Sequence, residues 1–167
     1  MFEIGDYIVY GTNGVCKVED ISTMDSLNVS KGRIYYTLSP CYSKGSKIFI
    51  PADNEKVIMR PVITKEEALA LIDEIREIEV LWIPNEKQRE NEYKDAFRTC
   101  DCKQWVKIIK TIYERKMERL ENGKKVTSVD EKYFHMAEES LYGELAIPLN
   151  MDKNEVREFI VEKIGVE

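Results

Sequence analysis

The feature that most constrains this chain is a change of hydrophobic period between Pro61 and Glu67. Before it, "DYIVYG", "GVCKVEDI", "RIYYTL", "SKIFIP" and "KVIMRP" are short runs rich in Val, Ile, Tyr and Phe, separated by Gly, Asn, Asp and Ser. Runs of that kind pack on a pleated, half-buried surface and read as strands. After it, Thr64-x-x-Glu67 has the form of a capping box, and Ala68, Leu69, Leu71, Ile72, Ile75 and Ile78 recur at helical spacing. The switch predicts a two-domain β + α protein with its boundary near Val62. Five short strands need closure or cover to protect their edges, so residues 1–62 are expected to form a small antiparallel barrel or half-barrel. The longest gap, Ser22 to Gly32, reads as a mobile loop.

Residues 63–167 read as an all-α domain of about five helices. Pro84 and Asn85 separate the first helix from a second, Lys87 to Thr99. Asp101 is placed to cap a third, Lys103 to Leu120, which Asn122-Gly123 ends. Ser128-x-x-Glu131 reads as a second capping box, opening a fourth helix that Gly143 stops after Tyr142, and Asn150 as the cap of a fifth, Met151 to Ile164. The 167 residues, 43% of them apolar, suffice for two small cores. No apolar run approaches the ~20 residues that span a bilayer, and no export leader precedes the first strand, so a cytoplasmic location and reduced thiols are expected.

Little in the chain points to chemistry. Cys100 and Cys102 form C-x-C, not the paired C-x2-C knuckles of a zinc site, while Cys16 and Cys41 lie in predicted strands and His135 is the only histidine. The expectation is no metal, and a buried Cys100 at a helix end. Without a nucleophile elbow, a zincin motif or a glycine-rich phosphate loop, no catalytic residue, cofactor or small-molecule substrate is expected. Glu66, Glu67, Asp73, Glu74 and Glu77 read as a solvated helix face.

Charge is more informative. The net charge of −6 divides into 0 over residues 1–62, −5 over 63–102, +5 over 103–125 and −6 over 126–167. One basic segment thus lies in an acidic chain, and beyond a Debye length of ~8 Å a partner feels the local field more than the total. At ~100° per residue, Lys103, Lys107 and Lys110 share a narrow stripe, with Trp105, Val106, Ile109, Ile112 and Tyr113 on the opposite arc. That pattern predicts a lysine face available to nucleic-acid phosphate, the mode that reads no sequence. Trp105 is expected in the core. Trp82, beside a helix break, reads as an exposed wedge or as a cap on the junction between the domains, and the flanking Leu81 and Ile83 favour the cap.

The strings "FEIGDYIVYGTNGVCKVEDI", "FIPADN", "MRP", "EYK" and "ESLYGELA" occur in that order from Met1 to about Ile147. Together they resemble the CarD-like family of bacterial transcription regulators, whose N-terminal domain also occurs in transcription-repair coupling factor. The resemblance implies a Tudor-like barrel that binds the β subunit of RNA polymerase. It also implies a helical domain that touches promoter DNA at the upstream edge of the melted bubble and modulates open-complex stability without catalysis. It carries DNA contact to Tyr93, Lys94 and Lys132, and puts Arg89 where family members commonly hold a DNA-wedging tryptophan. An arginine there would hold a narrow minor groove by charge, not by unstacking. On the polymerase side it aligns Phe49 and Met24 with family arginines, so that Lys47, Lys31 and Arg33 are candidates to supply the charge. Alternation along "KIFIP" puts Lys47 and Phe49 on one face and Ile48 and Ile50 on the other. The competing expectation is a protein-only adapter that binds polymerase and recruits another factor without touching DNA.

Overall fold

The computed structural model describes residues 1–23 and 33–165. The chain divides into two compact units, Met1–Val62 and Ile63–Glu167.

In the first unit, β1 (Tyr7–Tyr10), β2 (Val15–Thr23), β3 (Ile34–Pro40), β4 (Ile48–Pro51) and β5 (Met59–Pro61) form one antiparallel sheet in the order β4-β3-β2-β1-β5. The register pairs Ile8 with Cys16, Val18 with Leu38, and Tyr36 with Ile50, so the period-two apolar positions of successive strands fall on one side. Those positions make the core: Ile8, Tyr10, Cys16, Val18, Tyr36 and Leu38 are buried, and Ile48, Ile50 and Met59 pack against them from the edge strands. Both edges thus cover the same apolar face, as a barrel-like sheet requires. Each edge strand ends in proline, Pro51 or Pro61, where a missing N–H is tolerated. The β1–β2 connection turns at Gly11, whose φ is 48°; a Cβ there would stand 2.6 Å from Val57 Cγ1, so only glycine fits. Ser22 and Thr23 belong to β2, and the rest of the expected mobile loop, 24–32, lies outside the described residues.

The second unit holds α1 (Lys65–Glu74), α2 (Arg89–Arg98), α3 (Cys102–Glu121), α4 (Ser128–Leu149) and α5 (Lys153–Ile164). The largely apolar α4 packs against each of the other four helices, and Tyr133, Ala137, Leu141 and Leu145 are its buried anchors. Thr64 and Glu67 close the capping box at α1, and the Asp101 carboxylate accepts from the Lys103 N–H at α3. Cys100, buried between α2 and α3, has a φ of 57°, a left-handed conformation uncommon outside glycine.

Several boundaries differ from the sequence reading. α1 ends at Glu74, before Ile75 and Ile78, and a 3₁₀ turn, Glu86–Gln88, precedes α2. α4 is capped by Thr127, whose hydroxyl accepts from the Asp130 N–H, not by Ser128. Gly143 does not stop α4: it is buried inside the helix, where packing of α4 against its neighbours outweighs the intrinsic cost of ~1 kcal/mol. Asn150 ends α4 in the left-handed conformation, φ 51°, instead of opening α5, and Asp152 stands at the N-cap of that last helix.

Candidate interaction surfaces

The sheet unit presents an exposed aromatic on an outer strand. Ile48 and Ile50 turn into the core while Phe49, between them on β4, is 55% exposed opposite Thr37 of β3. Strand alternation dictates this, and β4 is an outer strand of the sheet. An aromatic on an open edge combines unpaired backbone groups with a large apolar anchor. Two ion pairs lie nearby: the Lys47 ammonium contacts Glu19, and Arg33 Nη2 lies 3.3 Å from Asp53 Oδ1 while its guanidinium also sits over the Tyr35 ring, 5.9 Å from the centroid. Phe49, Lys47 and Arg33 are therefore brought to one side of the unit around β3 and β4. Met24 and Lys31 lie outside the described residues.

In the helical unit the expected nucleic-acid residues separate into different environments. Tyr93 is fully buried, so it offers no surface. Its hydroxyl donates to Asp130 Oδ1 at 2.9 Å and accepts from Arg89 Nη1 at 3.0 Å. Arg89 also donates from Nε and Nη2 to the two oxygens of Glu86, at 3.0 and 2.7 Å, a bidentate clamp one turn back along the chain. Arg115 of α3 reaches the same carboxylate, Nη1 to Oε2 at 2.9 Å. Its Nε lies 3.1 Å from Asp130 Oδ2, an ion pair too poorly aligned to count as a hydrogen bond, which leaves both atoms without one. Arg89 thus ties the 3₁₀ turn to Tyr93, which makes the link to α4, and is not a side chain free to enter a groove.

The electrostatics follow from those contacts. The hydrogen bonds from Arg89 and then Arg115 hold the Glu86 carboxyl at about 2 against an ordinary 4.5. Burial pushes the Tyr93 phenol up to about 12. Glu86, through its hydrogen bond, leads the causes that raise the Arg89 guanidinium. Asp130 sits in the first turn of α4, where unsatisfied backbone N–H groups favour a carboxylate.

Two members of the α3 lysine stripe reach the end of α1 and the chain just beyond it, Lys103 while remaining exposed. Lys103 Nζ lies 3.2 Å from Glu74 Oε2. Lys110 Nζ donates to the Ile75 carbonyl at 2.8 Å, the Arg76 carbonyl at 3.3 Å and the Ile78 carbonyl, closing the chain just beyond α1. The partial negative charge of a helix C-terminus draws an ammonium to that position. The expectation that Lys110 faces phosphate is therefore corrected. Lys107, between them, is half-buried. Arg119 donates to the Lys125 carbonyl at 2.7 Å.

Lys94 and Lys132 fall elsewhere, on α2 and the start of α4. The Tyr133 hydroxyl donates to Glu90 Oε2 at 3.4 Å, the Lys132 ammonium lies 5.4 Å from the Tyr133 ring centroid, and the Arg98 charge bears on the same phenol. Burial and then Glu90 raise that phenol, against Arg98. Arg98 stands one turn beyond Lys94 on α2. Lys94, Arg98 and Lys132 form no ion pair among the described residues. Sequence reasoning does not single out Arg98, although its i, i+4 spacing from Lys94 is the available signal. Trp82 is 81% exposed: the backbone N–H of its neighbour Leu81 donates to Thr111 Oγ1 at 2.9 Å and the indole turns away from the helical unit.

Burial pushes the Cys16 thiol up to about 11, far from the range of a reactive thiolate. The Cys102 thiol donates to the buried Glu144 Oε1 at 3.2 Å, while Glu144 Oε2 accepts from the Ile63 N–H at 3.0 Å. Among the described residues, no helix is long and apolar enough to cross a membrane.

Residues 2–63 match the CarD-like/TRCF RID domain. The match covers the sheet unit and not the helices. No curated protein matches the chain.

Proposed function

We propose, from the membership of residues 2–63 in the CarD-like/TRCF RID domain family, that this protein is a non-enzymatic regulator of transcription initiation that binds the β subunit of RNA polymerase through its sheet unit. The domain match carries the reading, and the exposed Phe49 on edge strand β4 is its physical counterpart. Interfaces concentrate their energy in a few aromatic or arginine anchors. Phe49 supplies the anchor, and Lys47 and Arg33 the charge, held in place by Glu19 and Asp53.

The helical unit then lies close enough to promoter DNA for weak phosphate contacts to count. Lys94, Arg98 and Lys132 are its best candidates, with Lys107 beside them in charge but on another helix. Tyr93 acts beneath this surface by fixing α2 to α4, with Arg89 bracing its hydroxyl. The contact is electrostatic and modulates open-complex stability without an inserted wedge, because Arg89 is held by Glu86 and Tyr93. The same engagement of Arg89 favours, as a second reading, an adapter that binds polymerase without touching DNA.

The test of the polymerase interface is Phe49→Asp in the full chain, measured against the isolated β subunit by biolayer interferometry. Removal of an aromatic anchor that binding would bury and addition of an unpaired charge predict at least ~30-fold weaker binding, or roughly 2 kcal/mol. Unchanged affinity removes Phe49 from the interface, and no binding by the wild-type chain overturns the function.

A further inference from the structure

One apolar surface of the helical unit has no part in the proposed function. Trp82 projects from the segment that follows α1, and it lines a cleft of about 520 Å³ with Lys110 and Glu114 of α3. Tyr113, Met117 and Leu120, at spacings of four and three, form a stripe on α3 and are 43–51% exposed. Met117 is one turn from both Tyr113 and Glu114, so the cleft opens onto this stripe. Large apolar side chains scattered singly need no explanation, but a tryptophan beside a two-turn stripe marks a contact surface.

We propose that this cleft and stripe dock an amphipathic protein segment whose apolar anchors are flanked by Lys or Arg. The charge around the patch selects that occupant. Glu114, Glu118 and Glu121 run along one flank of the stripe, and Glu77 and Glu79 come from the wall of the cleft. None of the five forms an ion pair among the described residues. Arg76, Lys110 and Lys116 are the nearby opposing charges, three against five, and the Lys110 ammonium is turned onto the carbonyls beyond α1. An anionic rim repels nucleic acid and anionic lipid alike. A second copy fits poorly. Antiparallel pairing of two such stripes sets each row of glutamates against its own counterpart, and parallel pairing offers three glutamates one lysine, Lys116. The stripe is about 10 Å long at 1.5 Å per residue, which suits one short helix lying in a groove.

The test uses the full chain and two synthetic helical peptides of about four turns. Both carry leucine at i, i+3, i+4 and i+7; one has lysine on its flanks and the other glutamate. Binding is followed by tryptophan emission, which Trp82 dominates as the exposed member of a pair whose other member, Trp105, is buried. The lysine peptide is expected to blue-shift the emission and to bind at least ~10-fold more tightly than its glutamate twin. Followed by anisotropy of a labelled peptide, Trp82→Ala should weaken it ~10-fold, and E114K/E118K/E121K should reverse the preference. All four positions are at the surface, so circular dichroism should find these variants folded. Binding of neither peptide, equal binding of both, or wild-type affinity in Trp82→Ala overturns the proposal. So does a concentration-dependent dimer that Trp82→Ala abolishes, which gives the face to a second copy. Polymerase binding by Trp82→Ala should match wild type; a decrease there assigns the face to polymerase and refutes a separate partner.

Discussion

Lys110 illustrates how far a single residue can be read from sequence. Its place on a lysine stripe is visible in the 100° spacing with Lys103 and Lys107, but the spacing does not say what stands opposite. The structure puts the end of α1 there, and the ammonium closes it through three carbonyls. Lys110→Met should therefore cost ~1.5–3 kcal/mol in urea unfolding, the range for hydrogen bonds to a charged group, and leave DNA-dependent behaviour unaltered. Tyr93 and Arg89 make the same point. Both look like surface contacts by resemblance, yet Tyr93 is buried with Asp130, 37 residues on, as its partner, and Arg89 is clamped between Glu86 and the Tyr93 hydroxyl. The network also fixes a pH dependence. The Glu86 carboxyl is depressed from 4.5 to about 2, so its contribution is present above 4.5 and is lost as pH falls through about 2. The Tyr93 phenol is raised from 10.0 to about 12, so its neutral form stabilises the fold below pH 10 and that stability fades between pH 10 and 12. Urea midpoints across pH should show both limbs, with Glu86→Gln flattening the acid one and Tyr93→Phe the alkaline one.

Elements are legible in type more than in extent. Helices α1 and α3 are marked by caps, Thr64 with Glu67 and Asp101, because a side chain that bonds a free backbone N–H acts locally and needs no tertiary partner. Neither end of α4 follows from such local signals. Thr127 and Ser128 are adjacent hydroxyls, and only the backbone settles which is extended; Thr127, with φ −74° and ψ 155°, is. Thr127→Ala should lower stability by about 1 kcal/mol, whereas Ser128→Ala should change it by less than ~0.5 kcal/mol, a difference that chemical denaturation of the two variants resolves. Gly143 and Pro148 both argue against helix on propensity, yet α4 runs past one and through the other. Burial of Leu141, Leu145 and Ala146 against neighbouring helices outweighs them. In the sheet, alternation alone places Phe49 outward, since the strand period leaves each side chain only two choices.

Across the whole molecule, charge ties the two units to one proposed role. A chain of net charge −6 has no general attraction to DNA, so Lys94, Arg98 and Lys132 can act only where another contact holds them near phosphate. The full chain alone should leave promoter DNA unshifted in an electrophoretic assay at physiological salt. With polymerase present, K94E/K132E should shorten open-complex lifetime and lower the salt slope by about 2, near 0.9 for each phosphate no longer neutralised. An unchanged lifetime and slope would favour the adapter reading. The sequence by itself determined that strands precede helices, that the change comes at Pro61 to Glu67, and that Phe49 points away from its neighbours, because periodicity and capping are properties of adjacent residues. Tertiary structure alone decided which cations are engaged, since Lys103, Lys110 and Arg115 find their carboxylates and carbonyls on segments that the chain brings together only by folding.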